Sequence, residues 1–322
     1  MKKALVGMSG GVDSTVAVLL LREQGYQVHG GTLPICGRAI SKPIEVICTQ
    51  LGVEHHFIDT GSLFGDSVIG YVKQSLMQNL TPNPCVVCNQ YVKFPGLWKF
   101  AKSEGFDAIS TGHYANIGQF KGHTVPVKGV DPKKDQSYVL CLVPEEILEM
   151  TVFPLGSMVR KETEDKGKGL PVLPPSQDAC FVSGKNTDWI SKMVGLGDKG
   201  EIFDTDGKKL GIHDGLRAYT VGQREGIRLN NGPWYVVRKD FDSNRLIIGH
   251  KDSVMITEFE IADKRLIDEA DLSVVIRYHS RAIPCAIKDN KVTLAEPAFA
   301  PTPGQFAVFY AGDFVAGSSI II

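Results

Sequence analysis

The chain has 322 residues, 43% of them hydrophobic and 22% charged, and its formal net charge is −1. This length predicts two or three domains, and the balanced charge excludes a protein that is basic throughout, so an RNA partner would need local patches. No apolar run approaches the roughly 20 residues of a membrane helix, and the N-terminus enters a strand-like segment without a signal-peptide pattern. We therefore expect a cytoplasmic protein that makes no membrane contact.

The seven cysteines are an odd number in a chain expected in the cytoplasm, where structural disulfides are rare. Metal binding or thiol chemistry is the better expectation for cysteines in polar, turn-rich segments. Cys48 and Cys141 have apolar neighbours and Cys285 alternates within a strand, so these three are predicted to be core residues.

The first predicted element is a strand ending at Val6, followed by the turn GMSGGVDS at Gly7–Ser14 and then a helix. Paired glycines let the backbone curl, so the N–H groups at the helix start point at one spot, where the dipole favours an anion. Ser9 and Ser14 add hydroxyl donors, and Asp13 adds a carboxylate suited to magnesium. The turn lacks the Lys of a Walker A loop. SGGVDS instead resembles the pyrophosphate loop of the N-type ATP pyrophosphatases, which release AMP and pyrophosphate.

Further strands are predicted at Tyr26–Leu33, His55–Asp59 and Asp107–Thr111. In a doubly wound sheet a nucleotide binds at the carboxyl ends of the strands, so Leu33 is placed to touch an adenine and Gly112 to allow a close approach. His55 and His56 are interpreted as structural, because neither has metal-ligand company in the sequence. His113 either faces the substrate or is a structural histidine.

The segment TPNPCVVCNQYVKF at 81–94 predicts a loop and then a helix. Cys85 and Cys88 form a CxxC at the N-terminal end of that helix, where the pKa of a thiol is expected to be lowered. A CxxC alone does not distinguish a redox pair, a metal ligand and a nucleophile, and a zinc site built only from cysteines would need a second CxxC. Cys180, in SQDACF, is the third cysteine in a polar context.

From Gly195 the sequence changes to short alternating segments separated by glycine and Asp-Gly turns, which is typical of hairpins. After about Glu260 a second set of five or six strands predicts a small barrel. We therefore predict an α/β domain with a doubly wound, mostly parallel sheet, followed by two small all-β domains. Their predicted bounds are 1–187, 188–257 and 258–322.

Two polar features are ambiguous from the residues alone. The segment DPKKDQSYV at 131–139 is ordinarily a solvated turn. Arg277 and Tyr278 stand together, either as phosphate and base contacts or as a solvated strand face.

Taken in order, GMSGGVDS, TPNPCVVCN, TGHYA, KDQSY, SQDACF, YTVGQR and TPGQ resemble the motifs of the tRNA-specific 2-thiouridylases, the MnmA family, from Lys3 to the C-terminus. Members of that family use ATP and a sulfur relay to convert C2=O of the wobble uridine (position 34 of the tRNA) to C2=S. The resemblance implies an adenine nucleotide alpha hydrolase-like first domain, ATP and Mg²⁺ as cofactors, tRNA as the substrate and a sulfur-donor protein as a partner.

The resemblance also assigns roles to single residues. Cys88 falls on the family's nucleophile, Cys180 on the cysteine that carries the persulfide, and Asp13 would hold Mg²⁺ with ATP. The ATP contacts would come from Gly7, Met8, Ser9, Gly10, Gly11, Val12, Asp13, Ser14, Leu33 and Gly112. The tRNA and its target base would contact Asn83, Pro84, Cys85, His113, Lys134, Asp135, Gln136, Arg277, Tyr278 and Gln305.

The chain departs from the family's pattern in two ways. Cys85 stands where the family commonly has Asp, and the chain is shorter than usual around residues 34–43 and near 165. With the extra thiol, Cys85, Cys88 and Cys180 could ligate three irons of a [4Fe–4S] cluster and leave the fourth iron open to sulfide. The expected mechanism is therefore either a pure cysteine relay or a cluster-dependent thiolation.

Two other classes of function compete with a tRNA sulfurtransferase. An ATP-dependent ligase or amidotransferase would share the loop but would need neither Cys88 and Cys180 in loops nor the C-terminal barrel. A non-catalytic RNA-binding protein with a vestigial loop is disfavoured by the intact Asp13 and Ser14. The leading hypothesis requires folding to bring Cys88 and Cys180 to one pocket beside the Ser9–Ser14 turn.

Overall fold

The computed structural model describes residues 1–34, 41–174, 180–182, 185–227, 229–269 and 271–322. The chain divides into two units, each assembled from segments distant in sequence. The first comprises Met1–Ile69, Pro84–Phe181 and Tyr310–Ala316, and the second comprises Gly70–Asn83, Val182–Phe309 and Gly317–Ile322. The three predicted domain bounds stay a prediction.

A five-stranded parallel sheet forms the centre of the first unit. In spatial order its strands are β3 (Glu54–Phe57), β2 (Gln27–Thr32), β1 (Lys3–Gly7), β4 (Ala108–Thr111) and β7 (Thr151–Val152). Two further strands, β5 (Ala115–Phe120) and β6 (His123–Lys128), pair as an antiparallel hairpin. The helices of this unit are α1 (Val12–Glu23), α2 (Ser41–Leu51), α4 (Pro84–Cys88), α5 (Phe94–Ser103), α6 (Glu145–Leu148) and α7 (Arg160–Lys166).

Alternation along β1 explains why helices cover both faces of this sheet. Successive side chains of a strand point to opposite faces. Ala4 and Val6 join a core that includes residues of α1 and α2, whereas Leu5 joins a second core with Leu97 of α5 and Ile109 of β4. The doubly wound α/β arrangement predicted for the N-terminal part is therefore confirmed.

Helix α1 ends in a turn that its sequence specifies. Gly25 has φ +86, the N–H of Gly25 donates to Arg22 O at 2.9 Å, and the N–H of Tyr26 donates to Leu21 O at 3.0 Å. This bonding pattern is a Schellman motif, in which glycine takes the left-handed position at little cost.

Among its described residues the second unit contains two α-helices, α3 (Gly70–Met77) and α8 (Asn186–Val194), and two β structures, of which the second also includes Tyr310–Ala316 of the first unit. One is a four-stranded sheet in the order β10 (Tyr235–Asp240), β11 (Arg245–Gly249), β8 (Gly200–Asp204) and β9 (Lys209–His213). The turn from β8 to β9 is an Asp-Gly turn, as predicted. The Asp204 carboxylate accepts hydrogen bonds there from the N–H groups of Asp206 and Lys208, and Gly207 has φ +82.

The other β structure is a six-stranded barrel. Its strands in order are β12 (Met255–Leu266), β15 (Lys291–Phe299), β14 (Ile283–Lys288), β13 (Ser273–Val275), β16 (Phe306–Ala311) and β17 (Phe314–Ile321). Antiparallel pairing of β12 with β17, from Ile261 opposite Ile321 to Leu266 opposite Gly317, closes the barrel. Closure leaves no free strand edge. The predicted C-terminal barrel is thus confirmed.

Three details complete the comparison with the sequence. The helical stretch before the CxxC loop is divided into a π-helical segment at Phe64–Ile69 and α3, with glycines at 65 and 70 that lower helix propensity. Cys48 is fully buried as predicted, whereas Cys141 and Cys285 are half-buried. Among the residues described here, no helix has the length and hydropathy needed to cross a bilayer.

Candidate active site

The turn between β1 and α1 is shaped by its own hydroxyls and glycines. Ser14 Oγ donates to Gly11 O at 3.0 Å and lies 3.2 Å from Ser9 Oγ. Gly10 has φ +79, and a Cβ there would lie 2.6 Å from Leu173 Cδ1. Within the described part of the chain, a Cβ on Gly11 would meet only Ser9 Oγ, at 3.6 Å, so this side of the turn is open. The first N–H groups of a helix lack intrahelical acceptors, so the open turn suits an anion such as a phosphate.

Other members of the predicted ATP-binding stretch anchor the turn. The N–H of Met8 donates to Gly31 O at 2.8 Å, and Met8 O accepts from Thr32 Oγ1 at 3.3 Å. A Cβ on Gly7 would lie 3.0 Å from Leu97 Cδ1. Val12 packs half-buried against the cluster that contains Tyr114. These three residues therefore fix where the open turn lies.

Asp13 is held by two side chains that the sequence analysis did not single out. Tyr114 Oη donates to Asp13 Oδ1 at 2.9 Å, and the Arg160 guanidinium forms a close ion pair with the same oxygen. Arg160 Nε also donates to Glu164 at 2.8 Å. The predicted magnesium residue thus already has a cationic partner, and a metal ion there would share the carboxylate with Arg160.

The polar segment at 131–136 supports this arrangement rather than forming a solvated turn. Asp131 Oδ2 accepts a hydrogen bond from the N–H of Arg160 at 2.9 Å. Gln136 Oε1 accepts one from the N–H of Tyr114 at 2.9 Å. Both residues that hold Asp13 are therefore positioned by this segment.

The same segment supplied three predicted tRNA contacts. The Asp135 carboxylate accepts hydrogen bonds from the N–H of Gly129 at 2.9 Å and from Ser137 Oγ at 2.8 Å. Asp135 and Gln136 are therefore used to build the loop, and only Lys134 is fully exposed. Of the three, Lys134 is the one free to reach an RNA phosphate.

Two predicted nucleotide contacts have another structural explanation. A Cβ on Gly112 would lie 2.7 Å from the backbone of Asp13 and Ser14, so this glycine lets β4 approach the start of α1. Leu33 is half-buried and packs against Gly96: a Cβ added to Gly96 would lie only 2.5 Å from Leu33 Cδ2. Protein packing thus accounts for both residues, and their contacts with ATP stay predictions.

The three thiols singled out from the sequence lie near one another in the first unit. Cys88 is buried at the end of α4, whereas Cys85 and Cys180 are exposed. Burial raises the pKa of Cys88 to about 11; the nearby Lys93 charge opposes this shift, and the charges of Cys180 and Cys85 reinforce it. Charges shift one another's pKa only over short distances, so folding brings Cys88 close to Cys180, 92 positions later. Residues 175–179 of the motif before Cys180 lie outside the described residues.

The expectation that the helix start would lower the thiol pKa is wrong. Helix α4 begins at Pro84 and continues through a π-helical segment, Asn89–Lys93, into α5, so Cys88 lies beyond the first turn, where the effect of the N-terminus has faded. Partial loss of hydration raises the pKa of Cys85 as well, although that residue lies in the first turn. Lys93, which the sequence analysis did not single out, is the positive group that favours both thiolates.

His113 is packed inside the first unit. Its Nδ1 lies 2.5 Å from Thr111 Oγ1, and its ring packs beside Phe94 and Phe153. Burial, with the Lys93 charge, lowers its pKa well below the ordinary value. Packing inside the unit accounts for this residue, and its predicted contact with tRNA stays a prediction.

The other predicted tRNA residues divide between the units. Pro84 is in the first unit, and Asn83, Arg277, Tyr278 and Gln305 are in the second. Gln305 Nε2 donates to Thr81 O and Pro82 O, each at 3.0 Å, and Asn83 Nδ2 lies 3.5 Å from Gln305 Oε1. Gln305 therefore fixes the loop that leads to the CxxC.

Arg277 is also engaged inside its unit. It donates to Val221 O at 2.6 Å and contacts Thr302 Oγ1. The Tyr278 ring lies 3.8 Å from that of His279. Arg277 has a structural role here, and its predicted RNA contact stays a prediction.

Sequence reasoning missed Arg160, Tyr114 and Lys93 for different reasons. Arg160 stands in the charged run VRKETEDK, where nothing marks one residue as special. Tyr114 and Lys93 were inside quoted motifs, TGHYA and CNQYVKF, but received no role. For Tyr114 and Lys93, their position inside a motif was the signal that could have marked them as functional residues; Arg160 had no such signal.

Comparison with known proteins agrees with this fold. Residues 2–184 match a family described as the tRNA methyl transferase HUP domain, residues 187–250 the tRNA methyl transferase PRC-barrel domain, and residues 251–321 an aminomethyltransferase beta-barrel domain. A solved structure titled as a predicted subunit of tRNA methyltransferase from Methanocaldococcus jannaschii is similar over 52% of this chain and 74% of its own. Its identity is 16% and its TM-score 0.34, too low to support an argument.

Full-length relatives are more informative. The chain is 36% identical to the tRNA-specific 2-thiouridylase MnmA of Synechococcus sp. over 348 positions, which cover all of this chain and 97% of the relative. It is 37% identical to the protein of the same name from Microcystis aeruginosa, with 100% and 99% covered, and 36% identical to that from Acetivibrio thermocellus, with 99% of each covered. The chain therefore belongs to the MnmA family of tRNA-specific 2-thiouridylases.

Proposed function

We propose that the protein is an ATP-dependent sulfurtransferase that converts C2=O of the wobble uridine of tRNA to C2=S. The relatives that cover the whole chain carry the name of this activity. The observation that carries the proposal is the meeting of Cys88 and Cys180 in the unit that also contains the Ser9–Ser14 turn. A ligase that shares the turn would have no use for two thiols brought together from distant loops.

The first half-reaction activates the uridine. The C2 oxygen attacks the α-phosphorus of ATP, pyrophosphate leaves, and the oxygen becomes part of an AMP leaving group. The open side of Gly11 and the N–H groups at the start of α1 support binding of the phosphates there. Mg²⁺, which a carboxylate such as Asp13 suits, would offset the phosphate charge. Arg160 and Tyr114 orient that carboxylate.

The second half-reaction delivers sulfur. The terminal sulfur of a persulfide on Cys180 attacks C2, the C2–O bond breaks, and AMP leaves. The Cys88 thiolate then attacks Sγ of Cys180, so the S–S bond of the adduct breaks, 2-thiouridine is released and a Cys88–Cys180 disulfide remains. A reductant and a sulfur-donor protein must restore the persulfide for the next cycle. Because the pKa of Cys88 is about 11, we assign Lys93 the role of supporting its thiolate.

Reconstitution of the reaction tests the proposal. The purified chain is incubated with ATP, Mg²⁺, a reductant, a cysteine desulfurase with cysteine as the donor of persulfide sulfur, and tRNA from a strain that lacks 2-thiouridine, and the digested tRNA is analysed by mass spectrometry. We expect ATP-dependent formation of 2-thiouridine together with AMP and pyrophosphate. Pyrophosphate release without thiolated nucleoside under any sulfur source, or a methylated nucleoside instead, would overturn it.

Cys85 gives a reason to keep an iron–sulfur mechanism as the second candidate. Its thiol lies near Cys88 and Cys180, which makes three thiolate ligands of the type that such clusters use and leaves one iron without a protein ligand. A bound cluster would supply an open iron that can hold sulfide.

Anaerobic purification separates the two candidates. Cluster dependence predicts stoichiometric iron, a visible absorption band and activity that Cys85→Ser abolishes. The cysteine relay predicts colourless, iron-free, active protein in which Cys85→Ser retains thiolation.

A further inference from the structure

We propose that His29, Glu54 and His56 form a zinc-binding site on the sheet of the first unit. The site rests on residues that the sequence analysis interpreted as structural or did not consider. That interpretation did not consider His29 of β2, which lies beside Glu54 and His56 of β3 and completes a set of three potential metal ligands.

The register of two parallel strands creates the cluster. His29 of β2 pairs with Glu54 of β3, and Gly31 pairs with His56. Residues i and i+2 of a strand share a face, so Glu54 and His56 project on the side where His29 lies. His55 projects to the other face, where its Nε2 lies 2.9 Å from Thr32 Oγ1.

The separations of the ligand atoms match those of a tetrahedral ion. His29 Nδ1 lies 3.0 Å from His56 Nε2 and 3.5 Å from Glu54 Oε2, and His56 Nε2 lies 3.8 Å from Glu54 Oε1. Zinc ligands at about 2.0–2.1 Å from the metal in tetrahedral geometry are about 3.3 Å apart. The distance between the two nitrogens is close to that value, the two carboxylate distances are longer and go to different oxygens of Glu54, and one ligand atom from each residue lies within 4.8 Å of the others. Two imidazoles with one carboxylate are an established zinc donor set with an open fourth position.

The surroundings fix the orientation of both rings. The imidazoles are stacked with centroids 5.2 Å apart, and the Phe106 ring meets both edge-on. The Gln27 side-chain nitrogen lies 3.4 Å from His29 Nε2. Rotation of this amide by 180° would place its oxygen there to accept the Nε2–H, which leaves Nδ1 free to bind a metal.

Charge and access also suit a cation. Glu54 contributes a negative charge and is 67% exposed, so solvent and ions can reach the cluster. The alternative explanation is a plain hydrogen bond between the two rings, in which a proton occupies the position that we assign to the metal.

The site is separate from the candidate active site. His29 pairs with Leu5 in the middle of β1, whereas the phosphate-binding turn follows Gly7 at the carboxyl end of that strand. Zinc would cross-link the edge strand β3 to β2. Its binding is therefore expected to raise thermal stability, and its failure to bind would leave the proposed thiolation unaffected.

The test measures zinc binding in the full chain with the competing thiols removed. A Cys85→Ser/Cys88→Ser/Cys180→Ser background is stripped with a chelator, and Zn²⁺ is titrated against a chromophoric indicator; Co²⁺ is substituted to record the tetrahedral visible spectrum. We expect one equivalent of zinc, a rise in melting temperature on binding, and a cobalt spectrum without thiolate bands.

Three substitutions identify the ligands. His56→Ala and Glu54→Gln should each weaken zinc binding by at least about 10²-fold. His55→Ala, on the same strand but the opposite face, should leave it unchanged. Glu54→Gln alters an exposed side chain and keeps the test valid if His56→Ala fails to fold. The absence of stoichiometric zinc in the background protein, or equal affinity in Glu54→Gln and His55→Ala, would overturn the proposal.

Discussion

The proposed phosphate-binding turn, Gly7–Ser14, and the thiol cluster, Cys85, Cys88 and Cys180, lie in the same unit but differ in how far their polar groups are stabilised by partners. In the turn, polar groups are paired: Ser14 bonds to Gly11, and the Asp13 carboxylate has Tyr114 and Arg160. In the cluster, burial disfavours the reactive form of Cys88, and Lys93 opposes that effect only in part. The turn therefore needs no rearrangement to bind its ligand, whereas the surroundings of Cys88 must change before its thiol ionises.

This difference suggests where control of the reaction lies. Preorganised donors lower a barrier because they need no rearrangement when the ligand arrives. A thiol with a pKa of about 11 is protonated in all but a small fraction of molecules near neutral pH, so Cys88 stays unreactive until a substrate changes its surroundings. We infer that activation of ATP and delivery of sulfur are separable by mutation.

Cys180→Ser is the substitution with the largest expected effect and the one that best separates the two regions. Loss of the persulfide carrier should reduce thiolation by at least about 10³-fold, while pyrophosphate release with tRNA continues. Nucleoside mass spectrometry and a pyrophosphate assay measure the two outcomes. Cys285→Ser, half-buried in barrel strand β14, is the matched control and should retain thiolation. Retained thiolation in Cys180→Ser would remove that residue from the mechanism.

Gly10→Ala should distort the turn at Gly7–Ser14 and weaken ATP binding. Alanine at φ +79 adds roughly 1–3 kcal/mol of strain, and its Cβ would lie 2.6 Å from Leu173. We expect the apparent KM for ATP to rise at least about tenfold, which corresponds to about 1.4 kcal/mol, while Cys180 keeps its reactivity toward alkylating reagents.

Gly25→Ala supplies the control for Gly10→Ala. Gly25 has nearly the same backbone conformation, φ +86, but among the described residues nothing lies within 4 Å of its hypothetical Cβ. This variant should lose about 1 kcal/mol of stability and keep its KM for ATP. An equal change of KM in both variants would show that the effect is global rather than local.

The Asp13 contacts should have smaller and coupled effects. Tyr114→Phe removes the hydrogen bond of 2.9 Å to Asp13, which typically contributes about 0.5–1.5 kcal/mol, and a longer one of 3.4 Å that Tyr114 accepts from Arg160, so ATP-dependent activity should fall at most about tenfold. Arg160→Gln should have a larger effect because it removes the charge. Since both side chains contact one oxygen, a double-mutant cycle on the KM for ATP should give a non-additive result. Additive effects would mean that the two residues do not act through Asp13.

These two regions also show what a sequence can predict. The turn could be predicted because its determinants are local: two glycines, a strand before them and a helix after them. Its partners could not, since Arg160 is 147 residues from Asp13 and reaches it only through the tertiary fold. The thiol candidates were predicted from loop context, but the direction of the Cys88 pKa was not, because burial is a property of packing rather than of spacing. For the same reason His56 was judged without its partner on β2.

The pH dependence of thiol labelling tests the cluster alone, and the change that Lys93 makes to it is the smallest effect. Burial raises the pKa of Cys88 to about 11, so its thiolate fraction, and hence its rate of alkylation, should rise about tenfold per pH unit between pH 7 and 10. Because the positive charge of Lys93 lowers this pKa, Lys93→Met should raise it further and slow labelling at every pH in that range. Lys99→Met, which removes an exposed charge from α5, should leave the profile unchanged. Peptide mapping after timed iodoacetamide treatment gives the rate for each cysteine. Equal profiles for Lys93→Met and Lys99→Met would mean that Lys93 does not influence the pKa of Cys88. A Cys88 rate that is flat above pH 8 would mean that the thiol is already ionised and that the cluster is as ready for its chemistry as the proposed phosphate-binding turn.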